Sequence, residues 1–128
     1  MELKWSFSND VPIYAQLIEQ IKAAIVTGQF PPGERLPSVR DIAAEAGVNP
    51  NTMQRAFAEL EREGLVHSQR TSGRCVTQEQ AIIERTKADL AGRHIATFLS
   101  AMAALGYSGE QAAAVLNHTL EGKGDEQK

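Results

Sequence analysis

Over residues 35–64 the chain reads RLPSVRDIAAEAGVNPNTMQRAFAELEREG, a stretch in which one helix is told to stop and another to start almost at once. Ser38 with Asp41 is a start signal: the hydroxyl can accept from early backbone N–H groups, and the acid sits at the positive helix end. Val39, Ile42, Ala43 and Ala46 fall at helical spacing, and Gly47 supplies the left-handed residue that ends this helix. Asn49 is a good N-cap and Pro50 suits the first helical position, so a second helix begins just after the glycine. So close a restart forces the two helices to cross steeply, which is a helix-turn-helix.

Side-chain size agrees with the crossing. Ala43 and Ala46 are small where the second helix must come close, and Val48 in the turn fills the wedge between the axes. The second helix buries Met53, Ala56, Phe57 and Leu60 at i, i+3, i+4 and i+7. Its other face is polar at the start, with Asn49, Asn51, Thr52, Gln54 and Arg55 on the end that a recognition helix pushes into a major groove. Asn and Gln can pair bidentately with adenine, and Arg with guanine or phosphate. The competing reading of the same residues is a solvated helix face with a well-made cap. Farther along, Glu59, Glu61 and Glu63 turn the helix acidic.

The flanking segments read as supports. Leu3, Trp5 and Phe7 alternate with polar residues and predict a short extended arm, with Trp5 as a packing anchor. Ile13, Leu17, Ile21, Ala24 and Ile25 keep helical spacing, with Tyr14 and Ile18 widening the stripe, between Pro12 and the stop at Gly28. Residues 30–33 make a turn, and Arg35 with Leu36 a brief strand. Residues 65–69 and 74–77 then read as a hairpin that leans on the helices and pairs with that strand, a wing. Arg70 and Arg74 flank its tip and can reach phosphate or a minor groove, or else simply protect the edge.

From residue 78 onward the period is helical again. Thr77 with Gln80 reads as a capping box, followed by an apolar stripe of Ile83, Leu90, Ile95, Phe98, Leu99, Met102 and Leu105 that ends at Gly106. Ser108 with Gln111 starts a shorter helix, in which Ala112, Val115, Leu116 and Leu120 share a face up to Gly122. Residues 123–128 read as a polar, disordered tail. Two helices of this size cannot cover both stripes alone, so a homodimer through residues 78–122 is expected. Ile83, Leu90, Ile95, Phe98, Leu99, Met102, Leu105, Leu116 and Leu120 are its contact residues, with a hinge at Thr77 and Gln78.

Composition narrows the function. The formal net charge of −3 argues against a nucleic-acid binder until charge is placed: residues 67–77 hold two arginines and no acid, so a local basic patch survives. No run of about 20 apolar residues spans a bilayer and no secretion signal opens the chain, which predicts a cytoplasmic protein without membrane contact. Cys75 stands alone, and His67, His94 and His118 have no Cys or carboxylate at ligand spacing, so no metal site is expected. Neither GxGxxG nor GxxxxGK[ST] occurs, and no acid, base and nucleophile group together, so no cofactor and no catalysis are expected.

Several motifs together carry a family likeness. P-I-Y-x-Q-L at 12–17, G-Q-F-P-P-G-E-R-L-P-S-V-R-D-I-A at 28–43, G-V-N-P-N-T at 47–52 and E-L-E-R-E-G-L-V at 59–66 resemble the winged helix-turn-helix of the GntR family of bacterial transcription regulators. The short remainder resembles the YtrA-like subgroup, whose small helical C-terminal region dimerises and which typically represses its own operon, often with ABC-transporter genes. The resemblance implies DNA contacts at Arg35, Ser38 and Arg40, at Asn49, Asn51, Thr52, Gln54 and Arg55, and at the wing around Ser72 and Gly73. The chain departs from its relatives at Thr71, where many have a glycine, and at Cys75, where many have an aromatic. It also lacks the aminotransferase-like region or long sensor domain of other subgroups.

The expected fold is therefore mainly α with a small β-hairpin wing. A winged helix-turn-helix domain at 1–77 precedes a two-helix dimerisation region at 78–122. The expected partners are double-stranded operator DNA, a second copy and an unidentified small effector. The alternatives are a winged-helix protein-interaction module, and a small-molecule-binding enzyme or sensor.

Overall fold

The structure, a computed structural model, describes residues 3–69 and 73–126. The elements run α1 (Ile13–Val26), α2 (Val39–Ala46), α3 (Pro50–Arg62), β1 (Val66–Gln69), β2 (Gly73–Val76), α4 (Gln80–Ala104) and α5 (Gly109–Glu126). The chain divides into two compact units, Met1–Leu90 and Ala91–Lys128, so the first unit takes in the opening turns of α4.

In the first unit, α2 and α3 start and stop where local chemistry directs. Ser38 Oγ accepts from the Asp41 N–H at 3.1 Å, and Gly47 ends α2 in the left-handed region at φ 72°. Asn49 Oδ1 accepts from the Asn51 N–H at 2.7 Å, with Pro50 opening α3. One core is shared by Leu17, Ile21 and Ile25 of α1, Ile42 and Ala43 of α2, and Met53, Phe57 and Leu60 of α3, closed below the wing by Leu65, Val66 and Val76. Ala43 is fully buried, as its close approach to α3 requires. Each large aliphatic or aromatic side chain in this cluster contributes about 1.5–3 kcal/mol through burial.

The hairpin pairs Val66 with Val76, His67 with Cys75, Ser68 with Arg74 and Gln69 with Gly73. The expected brief strand is present as a bridge between Arg35 and Cys75. Leu36 N–H donates to the Arg74 carbonyl, and Val76 N–H to that of Glu34, both at 2.9 Å. The wing root thus has a third chain to lean on. Arg70 and Ser72 of the expected wing tip lie outside the described residues.

Two features of the first unit have no local signature. The arm is tied to α1 by glutamine side chains: Gln20 Oε1 accepts from Ser6 N–H at 3.1 Å and its Nε2 donates to the Ser6 carbonyl at 2.7 Å. Gln16 does the same with Ser8 at 2.8 and 2.9 Å. Residues four apart on a helix therefore meet residues two apart on an extended chain, and Leu3, Trp5 and Phe7 turn inward onto the core. The second feature is Lys22, only 5% exposed within the apolar stripe of α1, whose Nζ lies 2.8 Å from Glu63 Oε1 at the end of α3.

The start of α4 corrects the expected division of labour. Ile82 and Ile83 pack on the core of the first unit, and Ile83 is 6% exposed, so this residue belongs to that core and is spent before any dimer face begins. Leu90 is buried as well. Thr77 is buried, and its hydroxyl accepts from the Glu79 N–H at 3.1 Å where a capping box with Gln80 was expected. Gln78 is exposed, with its side chain lying beside Gly33, where an added Cβ would meet it at 2.5 Å. Residues 77 and 78, the expected hinge, both fall within the first unit.

In the second unit the capping box is complete: Gln111 N–H donates to Ser108 Oγ at 3.1 Å, and Ser108 N–H to Gln111 Oε1 at 2.8 Å. Ala112 is fully buried, whereas Ile95, Leu99, Leu105, Leu116 and Leu120 are exposed and Phe98 and Met102 half-buried. Helix α5 continues past Gly122 to Glu126, into the segment expected to be disordered. Glycine in a helix costs about 1 kcal/mol against alanine but ends it only by turning to positive φ, and Gly122 does not turn.

Candidate nucleic-acid interface

The first turns of α3 sort their polar side chains into those that build the helix end and those that project from it. Asn49 spends its amide oxygen on the cap, and Thr52 is half-buried. Asn51, Gln54 and Arg55 project from the exposed face, opposite Met53, Ala56 and Phe57 in the core. Cap, proline and apolar stripe together therefore aim three donor-rich side chains outward from one helix end.

Three segments distant in sequence meet beside that end. A cleft of about 440 Å³ is lined by Arg35 and Ser38 from the approach to α2, Gln54 from α3, and Ser68, Gly73 and Arg74 from the wing. Of the residues expected to contact DNA, the structure gathers Arg35, Ser38, Gln54, Gly73 and Arg74 here. Arg40, Asn51 and Arg55 are exposed but do not line it. Ser38 has a structural task too, since its oxygen already holds the Asp41 N–H.

Two arginines are not free. Arg55 holds its guanidinium carbon 4.6 Å from the ring centroid of Tyr14, a residue that helical spacing places only in the apolar stripe of α1. Arg74 donates through Nε to Glu61 Oε1 at 3.4 Å and lies 5.8 Å from the ring centroid of Phe57. Arg74, expected to flank the wing tip, has its side chain 23% exposed and turned back onto α3. Tyr14, Glu61 and Ser68 are participants that the sequence reading missed, because each acts through a partner on another element.

The acidic half of α3 is neutralised residue by residue. Glu63 pairs with Lys22, Glu61 with Arg74, and Glu59 with Arg62, whose Nε donates at 2.9 Å. The Arg62 hydrogen bond, and after it hydrogen bonding with Glu63, lowers the Glu59 carboxyl from 4.5 to about 2. Glu59 is therefore held ionised, and the three ion pairs offset part of the negative charge that this half of the helix presents. Among the described residues, no group of three or more His, Cys, Asp or Glu side chains is placed to hold a metal, and no helix is long and apolar enough to cross a membrane.

Comparison with known proteins agrees with this geometry. The family model described as "Bacterial regulatory proteins, gntR family" matches residues 13–76. An uncharacterized HTH-type transcriptional regulator of Bacillus subtilis, YhcF, is 36% identical over 105 residues, covering 82% of this chain and 87% of that protein. The HTH-type transcriptional repressor YtrA of the same organism is 41% identical over 70 residues, 55% of this chain and 54% of its own length. A solved GntR family transcriptional regulator from Listeria monocytogenes is 37% identical with a TM-score of 0.78, over 88% of this chain and 98% of that one. The match spans half the chain and takes in the crossing helices and the wing root, so this chain belongs to the gntR family of bacterial regulatory proteins.

Proposed function

We propose that this chain is a homodimeric, sequence-specific repressor that binds operator DNA in the cytoplasm and controls its own operon, one that includes ABC-transporter genes. The observation that carries the reading is the cleft at which Arg35, Ser38, Gln54 and Gly73 converge, beside a recognition-helix end exposing Asn51 and Arg55. Phosphate contacts from Arg35 and Arg40 fix register, and Asn51 and Gln54 offer paired donors and acceptors to base edges. Repression follows when the bound protein occupies sequence that polymerase needs, and the repressor name of YtrA supports that sign.

The second unit supplies the partner surface. Ile95, Leu99, Leu105, Leu116 and Leu120 leave apolar area in water, of the kind that marks an interface. A two-fold dimer through these helices presents two recognition helices to half-sites about 34 Å apart, or a multiple of it. An effector that prefers one head spacing acts as inducer or co-repressor, and operator DNA changes its affinity by the same factor. Footprinting on the DNA just upstream of the gene tests the reading. Protection of two half-sites in register supports it, and protection that scrambled competitor removes as well as upstream DNA does would leave a winged module without sequence-specific binding.

A further inference from the structure

Resting on the DNA-binding reading, we infer that Glu61 is a positioning residue that sets how much of the wing's positive charge DNA can use. Its carboxylate, on α3, accepts from Ser68 Oγ at 3.1 and 3.2 Å and from Arg74 Nε at 3.4 Å. Ser68 and Arg74 are directly opposite each other in the hairpin register. One acid on the recognition helix thus grips both strands of the wing at a single rung.

The grip has two separable consequences. Sterically, it fixes the wing root against α3, because Ser68 and Arg74 also line the cleft that Gln54 enters. Electrostatically, it holds a cation back. Arg74 lies between the Glu61 carboxylate and the Phe57 ring and is mostly covered, so its charge is spent inside the protein. A DNA phosphate can recruit Arg74 only by displacing Glu61, whose own charge then faces the duplex. Non-specific duplex offers nothing else in exchange. Glu61 therefore lowers affinity for duplexes whose bases are not read, while leaving the base-reading end of α3 untouched.

Glu61→Gln separates the two effects: the amide oxygen still accepts from Ser68, but the charge that retains Arg74 is gone. The probe is a scrambled-sequence duplex, titrated with the full-length protein across a salt series, beside the duplex from just upstream of the gene. Each phosphate neutralised steepens the log–log salt dependence by about 0.9, so freeing one arginine gives E61Q about threefold more affinity gain than wild type on going from 200 to 50 mM salt. Preference for upstream over scrambled duplex falls by a similar factor, because only the scrambled complex lacked that contact. Arg74→Ala in the E61Q background returns the slope to the wild-type value. A thermal melt of E61Q within a few degrees of wild type shows that the wing is intact, and Glu61→Asp, which keeps the charge, restores the wild-type slope. If wild type binds both duplexes and E61Q leaves slope and preference unchanged, the role of Glu61 is overturned. If wild type binds neither duplex, the regulatory reading itself falls, and this inference with it.

Discussion

Arg55 on α3 holds its guanidinium carbon 4.6 Å from the ring centroid of Tyr14 on α1. A cation over an exposed aromatic face is worth about 0.5–1 kcal/mol, enough to bias the rotamer of a long side chain without fixing it. On an otherwise polar helix end this bias pre-orients one arginine before DNA arrives. Tyr14→Ala should therefore weaken binding to the upstream duplex roughly two- to fivefold, the factor that such an energy gives. Tyr14→Phe keeps the ring and should stay near wild type in the same titration. A Phe variant as weak as the Ala variant would assign the effect to the hydroxyl group instead.

The Glu59 carboxyl gives a pH signature. Hydrogen bonding with Arg62, then with Glu63, lowers it from 4.5 to about 2. A carboxylate whose folded pKa is depressed contributes stability that is fully present above its unfolded value, and loses it as pH falls through the folded one. The window here is from 4.5 down to about 2, and the pair is intact at neutral pH. Arg62 is exposed, so salt screens the pair. A carboxyl-detected NMR titration should find the Glu59 midpoint near 2 at low salt, and higher both in about 1 M salt and in Arg62→Ala. A midpoint indifferent to Arg62 would remove the stated cause.

What the sequence made legible is what acts over one or two helical turns. Ser38, Gly47 and the pair Asn49–Pro50 each fix a helix end through local backbone groups, and all three ends lie where those signals put them. The expected wing root was legible because two short segments flank a turn with Gly73 near its tip. Lys22 was not, because an apolar stripe is read by averaging, and the carboxylate that accommodates a buried ammonium sits at Glu63 on another helix. Gln16 and Gln20 look like ordinary solvated residues until the arm lies beside them. Ile83 belongs to a stripe that periodicity reads as continuous, but periodicity names a face and not the surface that covers it. The same limit hid the contact of Tyr14 with Arg55 and the grip of Glu61, each defined by a partner on another element.

Dimerisation is best tested where the apolar side chains are free. Ile83 and Leu90 are already buried, so substitutions there damage the single chain and report on folding. Leu99 and Leu116 are exposed, and Leu99→Asp with Leu116→Asp removes apolar area from a partner while leaving the buried Ala112 in place. Each charge forced into a dry interface costs several kcal/mol unless paired. Light scattering at micromolar concentration should show a dimer for the natural chain and a monomer for the double variant, with helical content unchanged by circular dichroism. A natural chain that scatters as a monomer refutes the dimer.

Arg40 and Gln54 divide affinity from specificity. Both are exposed, but Gln54 projects from α3 into the cleft shared with Arg35 and Gly73, whereas Arg40 lies on α2 outside it. A side chain that holds phosphate gains the same energy from every sequence, since the backbone is uniform, and each such contact adds about one unit of salt slope. A side chain that reads a base edge loses its partner only when that base changes. Arg40→Ala should therefore weaken upstream and scrambled duplexes equally, and lower the slope by about one. Gln54→Ala should cost roughly 1–3 kcal/mol on the upstream duplex, leave scrambled DNA nearly unaffected, and relax preference at one base position. Asn51→Ala, at the first exposed turn of α3, should behave like Gln54→Ala at a different base. The result that defeats this assignment is an equal loss on both duplexes for Gln54→Ala, because a residue that cannot tell two sequences apart is holding the backbone or the fold.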